Sequence, residues 1–404
     1  MNNNINSEIV HEVKNKRFGT IGYLVVDHLI QGMSIGGARI VPEISVAELQ
    51  HIARSMTCKN VFIDSKIGGA KSAIIITGEN EKYRNEIIYE FGKGISHFVK
   101  KQIYSPGMDI GITPKELQMV YNGAGVKRDV LSWKNLSYEH SAYSCFYATL
   151  AALEKKNISI QEATFSVQGF GSLGSAYADL MTKAGARLTA LSNIHGGLVN
   201  EGGFDIKDIL HNRSVHGDNF ILSYRDGKRV SHDEVLEGKV TALLPAANSF
   251  AINNENWEKI RADIIVCAAN CPFSYDIERR LFQKGKTVIT DFVANCGGVL
   301  GSIIDAYVTK DDMVHIFSNY YKNKVKRLLD QSIETNTPMA DIVINEVERK
   351  IGKESHSFCL SKRLIRYPRF AIKVLLKGMP SSVKNRILKK RSQKIMHQYE
   401  MLWK

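Results

Sequence analysis

Several things are missing from this 404-residue chain, and each absence narrows its function. No stretch approaches the roughly 18–20 consecutive apolar residues that a membrane-spanning helix requires. The first residues, Met1-Asn2-Asn3-Asn4, are polar and lack the basic-then-apolar order of a secretory signal. Cysteine is sparse and scattered: of Cys58, Cys145, Cys267, Cys271, Cys296 and Cys359, only Cys267 and Cys271 lie close together. Their spacing is wider than C-x-x-C and no second pair completes a zinc site, so no metal is expected and the thiols read as reduced and structural. A cytoplasmic location follows as the expectation. Internal repeats and low-complexity stretches are also absent. Acid is nearly missing from one segment: residues 357–404 hold 13 Lys and Arg against the single Glu400. That tail carries net +12 of the chain's +13, and the other 356 residues are almost neutral.

What is present has the balance of a soluble enzyme, with 44% hydrophobic and 24% charged residues. The length points to two domains. Residues 1–135 alternate strand-like runs (21–26, 38–41, 73–76) with helical ones (45–56, 80–100, 113–120). Ser45 with Glu48, and Thr113 with Pro114 and Glu116, mark helix starts. From 136 to 302 a helix at 141–155 precedes a strand at 163–167, a glycine turn, a helix at 175–184 and a strand at 187–191. Further strands are expected at 240–244, 264–268 and 287–290. This alternation predicts an α/β fold with a parallel sheet of Rossmann type.

The turn is Gly169-Phe170-Gly171-Ser172-Leu173-Gly174. In such a signature the first glycine permits the turn, the second lets the backbone approach a pyrophosphate, and the third lets helix and strand pack closely. Residues 169–174 are therefore expected to hold a dinucleotide. The carboxylate that often grips the ribose hydroxyls about 20 residues on is missing: Asn193 ends the next strand. A neutral residue there does not repel a 2′-phosphate, so NAD and NADP both stay open, with NAD slightly favoured as the commoner of the two.

In the first third lie Lys59, in Met56-Thr57-Cys58-Lys59-Asn60, and Lys71, after Gly68-Gly69-Ala70. Asp109 follows in Pro106-Gly107-Met108-Asp109-Ile110-Gly111. Two lysines and an aspartate suit a pocket that holds a carboxylate and moves a proton. A lysine enclosed by glycines can be desolvated, which lowers its pKa towards working pH. With Gly36-Gly37-Ala38-Arg39, Ala269-Asn270-Cys271-Pro272 and Asn295-Cys296-Gly297-Gly298-Val299, these motifs in order resemble the Glu/Leu/Phe/Val amino acid dehydrogenases over residues 18–350. The resemblance implies a substrate domain (1–135), a dinucleotide-binding domain (136–302), C-terminal helices returning to the substrate domain (303–356) and a homo-oligomer. It also implies reversible oxidative deamination of an L-amino acid to a 2-oxo acid and ammonia. By the same resemblance Lys59 pairs with the substrate α-carboxylate, Lys71 activates water, and Asp109 moves a proton at the amino nitrogen. Gly36, Gly37, Ile35 and Ser302 line the substrate site, and Ser141, Asn270 and Asn295 lie near the nicotinamide.

The departures bear on the substrate. Ile35 stands where the glutamate-specific branch has a lysine for the side-chain carboxylate. Burying that carboxylate unpaired costs several kcal/mol, so glutamate is disfavoured. Ser302 resembles the glutamate branch instead, which makes the pocket mixed. Ala70 and Ser144 each replace a family glycine and are expected to crowd a tight region. The basic tail lies beyond the resemblance. It contains an interleaved basic–apolar segment (364–377) and an expected helix (384–394). A solvated helix packed on the body, an anionic membrane surface, and nucleic acid or an acidic partner are its three readings. The alternative for the whole chain is a non-catalytic, dehydrogenase-like protein recruited through that tail.

Overall fold

The computed structural model describes residues 7–131, 137–305, 308–354 and 381–403. The chain divides into two units, residues 1–135 with 346–378 and residues 136–345 with 379–404. Among the described residues no helix is long and apolar enough to cross a membrane, and no cluster of His, Cys, Asp and Glu could hold a metal ion.

The first unit is built on a five-stranded mixed sheet. Its elements are β1 (Ile9–Asn15), β2 (Gly19–His28), β3 (Ser34–Val41), α1 (Val46–Phe62), β4 (Gly68–Ile75), α2 (Arg84–Gly94), α3 (Ser96–Lys100), β5 (Tyr104–Met108) and α4 (Pro114–Gly123). Strand order is β1-β2-β4-β3-β5. The β1–β2 and β2–β4 pairs are antiparallel, and β3 runs parallel to both β4 and β5. Strand side chains alternate between faces, and here each face has its own cover. Leu49 and Ala53 of α1 pack on Val25 and Ala73. On the other face Ile87, Phe91, Leu117 and Val120 of α2 and α4 pack on Leu24, Val26, Ala70 and Ile74. Both expected helix starts form: the Ser45 hydroxyl accepts from Glu48 N at 3.1 Å, and Thr113 and Glu116 make a capping box with Pro114 in the first turn.

The second unit begins with α5 (Ser137–Lys155), β6 (Thr164–Gln168), α6 (Ser172–Lys183), β7 (Arg187–Asn193), β8 (Gly196–Val199), α7 (Ile206–His216), α8 (Phe220–Ser223), β9 (Lys228–Val230) and α9 (His232–Leu236). It continues with β10 (Ala242–Pro245), β11 (Ile264–Val266), α10 (Tyr275–Gln283), β12 (Thr287–Ile289), α11 (Asp291–Ala294) and α12 (Gly297–Ile304). The seven strands take the order β12-β11-β10-β6-β7-β8-β9. The first five are mutually parallel and β8–β9 form an antiparallel edge. This is the doubly wound arrangement expected from the strand–turn–helix pattern. Ile277 and Leu281 of α10 pack on Leu243, Ile265 and Val288 of the sheet.

Then follow α13 (Lys310–His315), a π-helical turn (Ile316–Tyr321), α14 (Lys322–Glu334), α15 (Met339–Glu354) and the terminal α16 (Ser381–Trp403). Here the expectation needs correction. Residues 303–345 belong to the second unit rather than returning to the first. The physical reason lies in α14, whose buried Val325, Leu328 and Leu329 form an apolar stripe on an element that packs against α5. The division between units falls inside α15, from residue 346 onwards, where Glu348 pairs with Arg54 and Lys350 with Asp64.

The helix expected at 384–394 exists and is longer. It packs on the second unit through Trp403 and Tyr399, both buried. Trp403 lies on Tyr321 at 6.3 Å between ring centroids, and the Ser392 hydroxyl donates to Asp312 at 2.6 Å. Lys390, Arg391 and Lys394 face outward. A packed helix is thus what residues 381–403 form, and segment 364–377 lies outside the described residues.

Candidate active site

Three strands of the first unit bring their charged residues to one point. Arg39 is on β3, Lys71 is on β4, and Asp109 follows β5 directly. The Lys71 ammonium lies 2.8 Å from Asp109 Oδ2, and the Arg39 Nε donates to the same oxygen at 2.9 Å. Lys71 is 2% exposed, while Arg39 and Lys59 are each 3% exposed. Lys59 comes from α1, the helix that covers this face of the sheet.

Glycines make the approach possible. A Cβ on Gly37 would stand 2.6 Å from the Asp109 Cβ, and one on Gly36 would stand 1.6 Å from the Ala70 carbonyl oxygen. Across from them, a Cβ on Gly69 would meet the Thr57 amide at 2.0 Å, so that glycine lets α1 settle against β4. Ile35, half-buried, shares the Arg39 and Gly37 side of β3 by strand alternation.

The electrostatics follow from burial with charge. Desolvation is the largest influence on Lys71 and depresses its pKa; Asp109 opposes it, while Arg39 and Lys59 reinforce it, and the amine ends at about 8. For Asp109 burial alone would raise the pKa. The Lys71 ammonium and Arg39 guanidinium outweigh it and hold the carboxyl well below the usual carboxylate range. The pair therefore offers an ionised carboxylate beside a lysine that is half uncharged near pH 8.

In the second unit the glycine turn has the expected local form. Gly169 has φ +97°, and a Cβ there would meet the Ala247 amide at 2.6 Å. A Cβ on Gly174 would lie 2.3 Å from the Gly169 carbonyl oxygen, which keeps α6 tight against β6. Gly171 is different: nothing lies within 4 Å of the Cβ it lacks. It is the N-cap of α6 and, as a glycine, makes no side-chain cap bond to the first turn; the unpaired amides of a helix N-terminus favour an anion. A cavity of about 270 Å³ beside this turn has Ser172, Ser175 and Arg213 in its wall. Asn295 adds a second mark. Its Nδ2 donates to Ala268 O at 2.9 Å, yet its Oδ1 is buried with no hydrogen-bond partner among the described residues, an open acceptor of the kind a carboxamide N–H satisfies. The turn and this acceptor fit a nicotinamide dinucleotide.

Comparisons with known proteins agree on one assignment. The family model described as Glutamate/Leucine/Phenylalanine/Valine dehydrogenase matches residues 134–348. The dimerisation-domain model of the same dehydrogenases matches residues 7–124. The chain belongs to the Glu/Leu/Phe/Val dehydrogenase family. It is an amino acid dehydrogenase, an oxidoreductase acting on CH–NH2 groups. Among its relatives, glutamate dehydrogenase A2 of Halobacterium salinarum is 29% identical over 284 residues, 67% of this chain and 68% of that one. The NADP-specific glutamate dehydrogenase of Saccharolobus shibatae is 26% identical over 329 residues, 74% of this chain and 77% of that one. Two solved structures share the fold. The hetero-hexameric glutamate dehydrogenase of Thermus thermophilus (Leu bound form) gives a TM-score of 0.70 at 17% identity, covering 86% of this chain and 88% of that one. The L-tryptophan dehydrogenase of Nostoc punctiforme gives 0.60 at 18% identity, covering 87% and 98%.

Within this dehydrogenase, Lys59, Lys71, Asp109, Gly36, Gly37 and Ile35 belong to the first unit. Gly169, Gly171, Ser172, Leu173, Gly174, Ser141, Asn193, Asn270, Asn295 and Ser302 belong to the second. Ser141 donates to Asn295 O at 3.2 Å, which ties two expected cofactor-side residues together. Asn193 is engaged at both ends of its amide, donating to Asp218 O at 2.6 Å and accepting from His195 N at 3.0 Å. Ser302 is exposed on α12 and donates to Val299 O in its own helix.

The two glycine replacements behave differently from the crowding expected of them. The Ala70 methyl packs in the core under α2 and α4, on the sheet face opposite Lys71. The Ser144 hydroxyl is a link, donating to Ala294 O at 2.6 Å and accepting from Gly297 N at 3.1 Å. Arg39 is the residue whose role the motif reading missed. Its signal was available: the one charged residue of β3, a single alanine beyond Gly36-Gly37.

Proposed function

We propose that this dehydrogenase catalyses NAD(P)-dependent oxidative deamination of an L-amino acid other than glutamate, or the reverse reductive amination. The observation that carries the reading is the buried Lys71–Asp109 pair at 2.8 Å, flanked by Arg39 and Lys59. Lys59 is the counter-ion for the substrate α-carboxylate. Asp109, held ionised, accepts the proton that the substrate ammonium must lose. Lys71, uncharged in about half of molecules near pH 8, takes a proton from the attacking water and returns it as ammonia departs. When bound, a nicotinamide dinucleotide supplies the two-electron acceptor for the hydrogen at Cα.

Ile35 supports a non-glutamate substrate. A glutamate side chain placed beside it would bring a carboxylate to an aliphatic wall, at a cost of several kcal/mol. An uncharged side chain avoids that cost. Asn193 carries no charge to repel a 2′-phosphate, so both NAD and NADP belong in the test. We also propose a cytoplasmic homo-oligomer, with sequence and family as the support.

The test is nicotinamide absorbance at 340 nm over a panel of L-amino acids with each cofactor, beside Lys71→Ala. Turnover of an uncharged amino acid that Lys71→Ala lowers at least a hundredfold is the expected result. Preference for glutamate, or turnover indifferent to Lys71, would sink the assignment.

A further inference from the structure

We propose that Arg39 positions Asp109 for proton transfer: its Nε anchors one carboxylate oxygen beside Lys71, and its spare Nη2 receives the other oxygen when Lys71 releases its hold. This rests on the proposed roles of Lys71 and Asp109.

The geometry is an incomplete fork. Elsewhere in this chain Arg279 grips Asp341 side-on, with Nε on one oxygen at 2.9 Å and Nη2 on the other at 2.8 Å. Arg39 makes the first of these bonds to Asp109, at 2.9 Å. Its Nη2 is buried and has no hydrogen-bond partner among the described residues. Leaving a charged donor unsatisfied in the interior is costly, and a bidentate arginine–carboxylate pair is the low-energy arrangement for these groups. The fork stays open because Lys71 and Arg39 share Oδ2. If Lys71 is uncharged, its pull on that oxygen weakens and the carboxylate can rotate to close the fork. Arg39 thus gives Asp109 a second resting place, so the carboxylate stays ionised and in reach when the lysine is neutral.

The other charged groups around Lys71 do not substitute for Arg39. Lys59 on α1 is a second cation beside Lys71, and like Arg39 it lowers the lysine's pKa. Glu48, also on α1, stands 3.9 Å from Arg39 Nη1. Asp27 on β2 is engaged by Thr57 and Arg54 of α1. Tyr104 on β5 is turned to Ser72 and Gly36 O.

The experiment is competitive acetylation of the full-length protein across pH 6–11, with the Lys71 peptide quantified by mass spectrometry, together with kcat and KM against pH on the substrate found above. Arg39→Met should raise the Lys71 titration midpoint by about one to two units, because a cation within a few ångströms of the amine has gone. Arg39→Lys keeps the charge but not the fork. It should hold the midpoint within about half a unit of the parent while kcat falls at least tenfold and KM changes little. A folded Arg39→Met protein with an unmoved midpoint overturns the proposal, as does Arg39→Lys with full kcat. Should Arg39→Met fail to fold, the kcat and KM split of Arg39→Lys decides alone. The labelling needs no turnover, so failure of the catalytic reading shows separately, as Lys71→Ala retaining activity.

Discussion

Asp109→Asn should make Lys71 more reactive and the enzyme far less active. The side chain keeps its shape and loses its charge, so the ammonium 2.8 Å away loses its anion. At that distance the attraction is about 1.5 kcal/mol in bulk water and about 6 kcal/mol at an effective dielectric of 20. Even the lower figure is about one pKa unit. Arg39, Lys59 and burial, which all depress the lysine, remain. The Lys71 midpoint should therefore fall from about 8 to about 7 or below. At pH 7 the uncharged fraction would rise from about a tenth to a half or more, and initial acetylation of Lys71 should speed up about fivefold. Turnover should fall by about 10²–10⁴, the usual contribution of a positioned acid–base group. Arg39 loses a charged acceptor as well, so a stability loss of about 3 kcal/mol is expected. Circular dichroism at the labelling temperature checks that the protein is folded. Unchanged or slower labelling of Lys71 in a folded variant would refute the electrostatic account.

Three other outcomes follow from the same kind of reasoning. Glu278 is buried beside Asp291 and Asp341, accepts from Ala340 N at 3.1 Å, and has its pKa pushed up to about 8, chiefly by burial. The folded state then binds the extra proton between about 4.5 and 8, so the stability it gives is full below 4.5 and lost as pH rises through 8. Glu278→Gln should stabilise the protein at pH 9 by about 2–4 kcal/mol and leave it little changed at pH 4.5, as read by urea denaturation. Ser144→Ala strands the Gly297 amide and should cost about 1–3 kcal/mol, with faster hydrogen exchange at that amide; slower or unchanged exchange contradicts the link. Trp403→Ala removes the main anchor of α16 and should cost about 3–5 kcal/mol of docking, seen as faster proteolysis within 381–403 and an unchanged pattern elsewhere.

Part of this architecture could be read from residues alone, for reasons that particular positions make plain. The glycine turn was legible because its glycines answer distinct steric demands: Gly169 takes a positive φ, and Gly174 allows a close helix–strand contact, while Gly171 has open space where its Cβ would be. Lys71 and Asp109 were legible through their neighbours. Their shared oxygen with Arg39 was not, because it depends on the parallel β3–β5 and β3–β4 registers, which bring residues 39, 71 and 109 together across long sequence gaps. Strand β1 was hidden by His11, Glu12 and Lys14, which an edge strand tolerates because much of it is solvated. Residues 303–345 showed a helical period, which says that one face is buried but not against which unit. Ala70, although next to Lys71 in the sequence, does not share its surroundings. Strand alternation sends the Ala70 methyl to the opposite core.

The cluster on β3, β4 and β5 has a consequence for what the protein binds when no substrate is present. Arg39, Lys59 and Lys71 bring three formal positive charges, and Asp109 with the more distant Glu48 brings two negative ones. These groups together carry one more positive than negative formal charge. An amino acid supplies a carboxylate but also a cation, and leaves the count where it was until the ammonium gives up its proton. A 2-oxo acid supplies the carboxylate alone. Small carboxylates should therefore act as inhibitors that bind more weakly as salt rises, and the keto acid should be held more firmly than the amino acid it comes from.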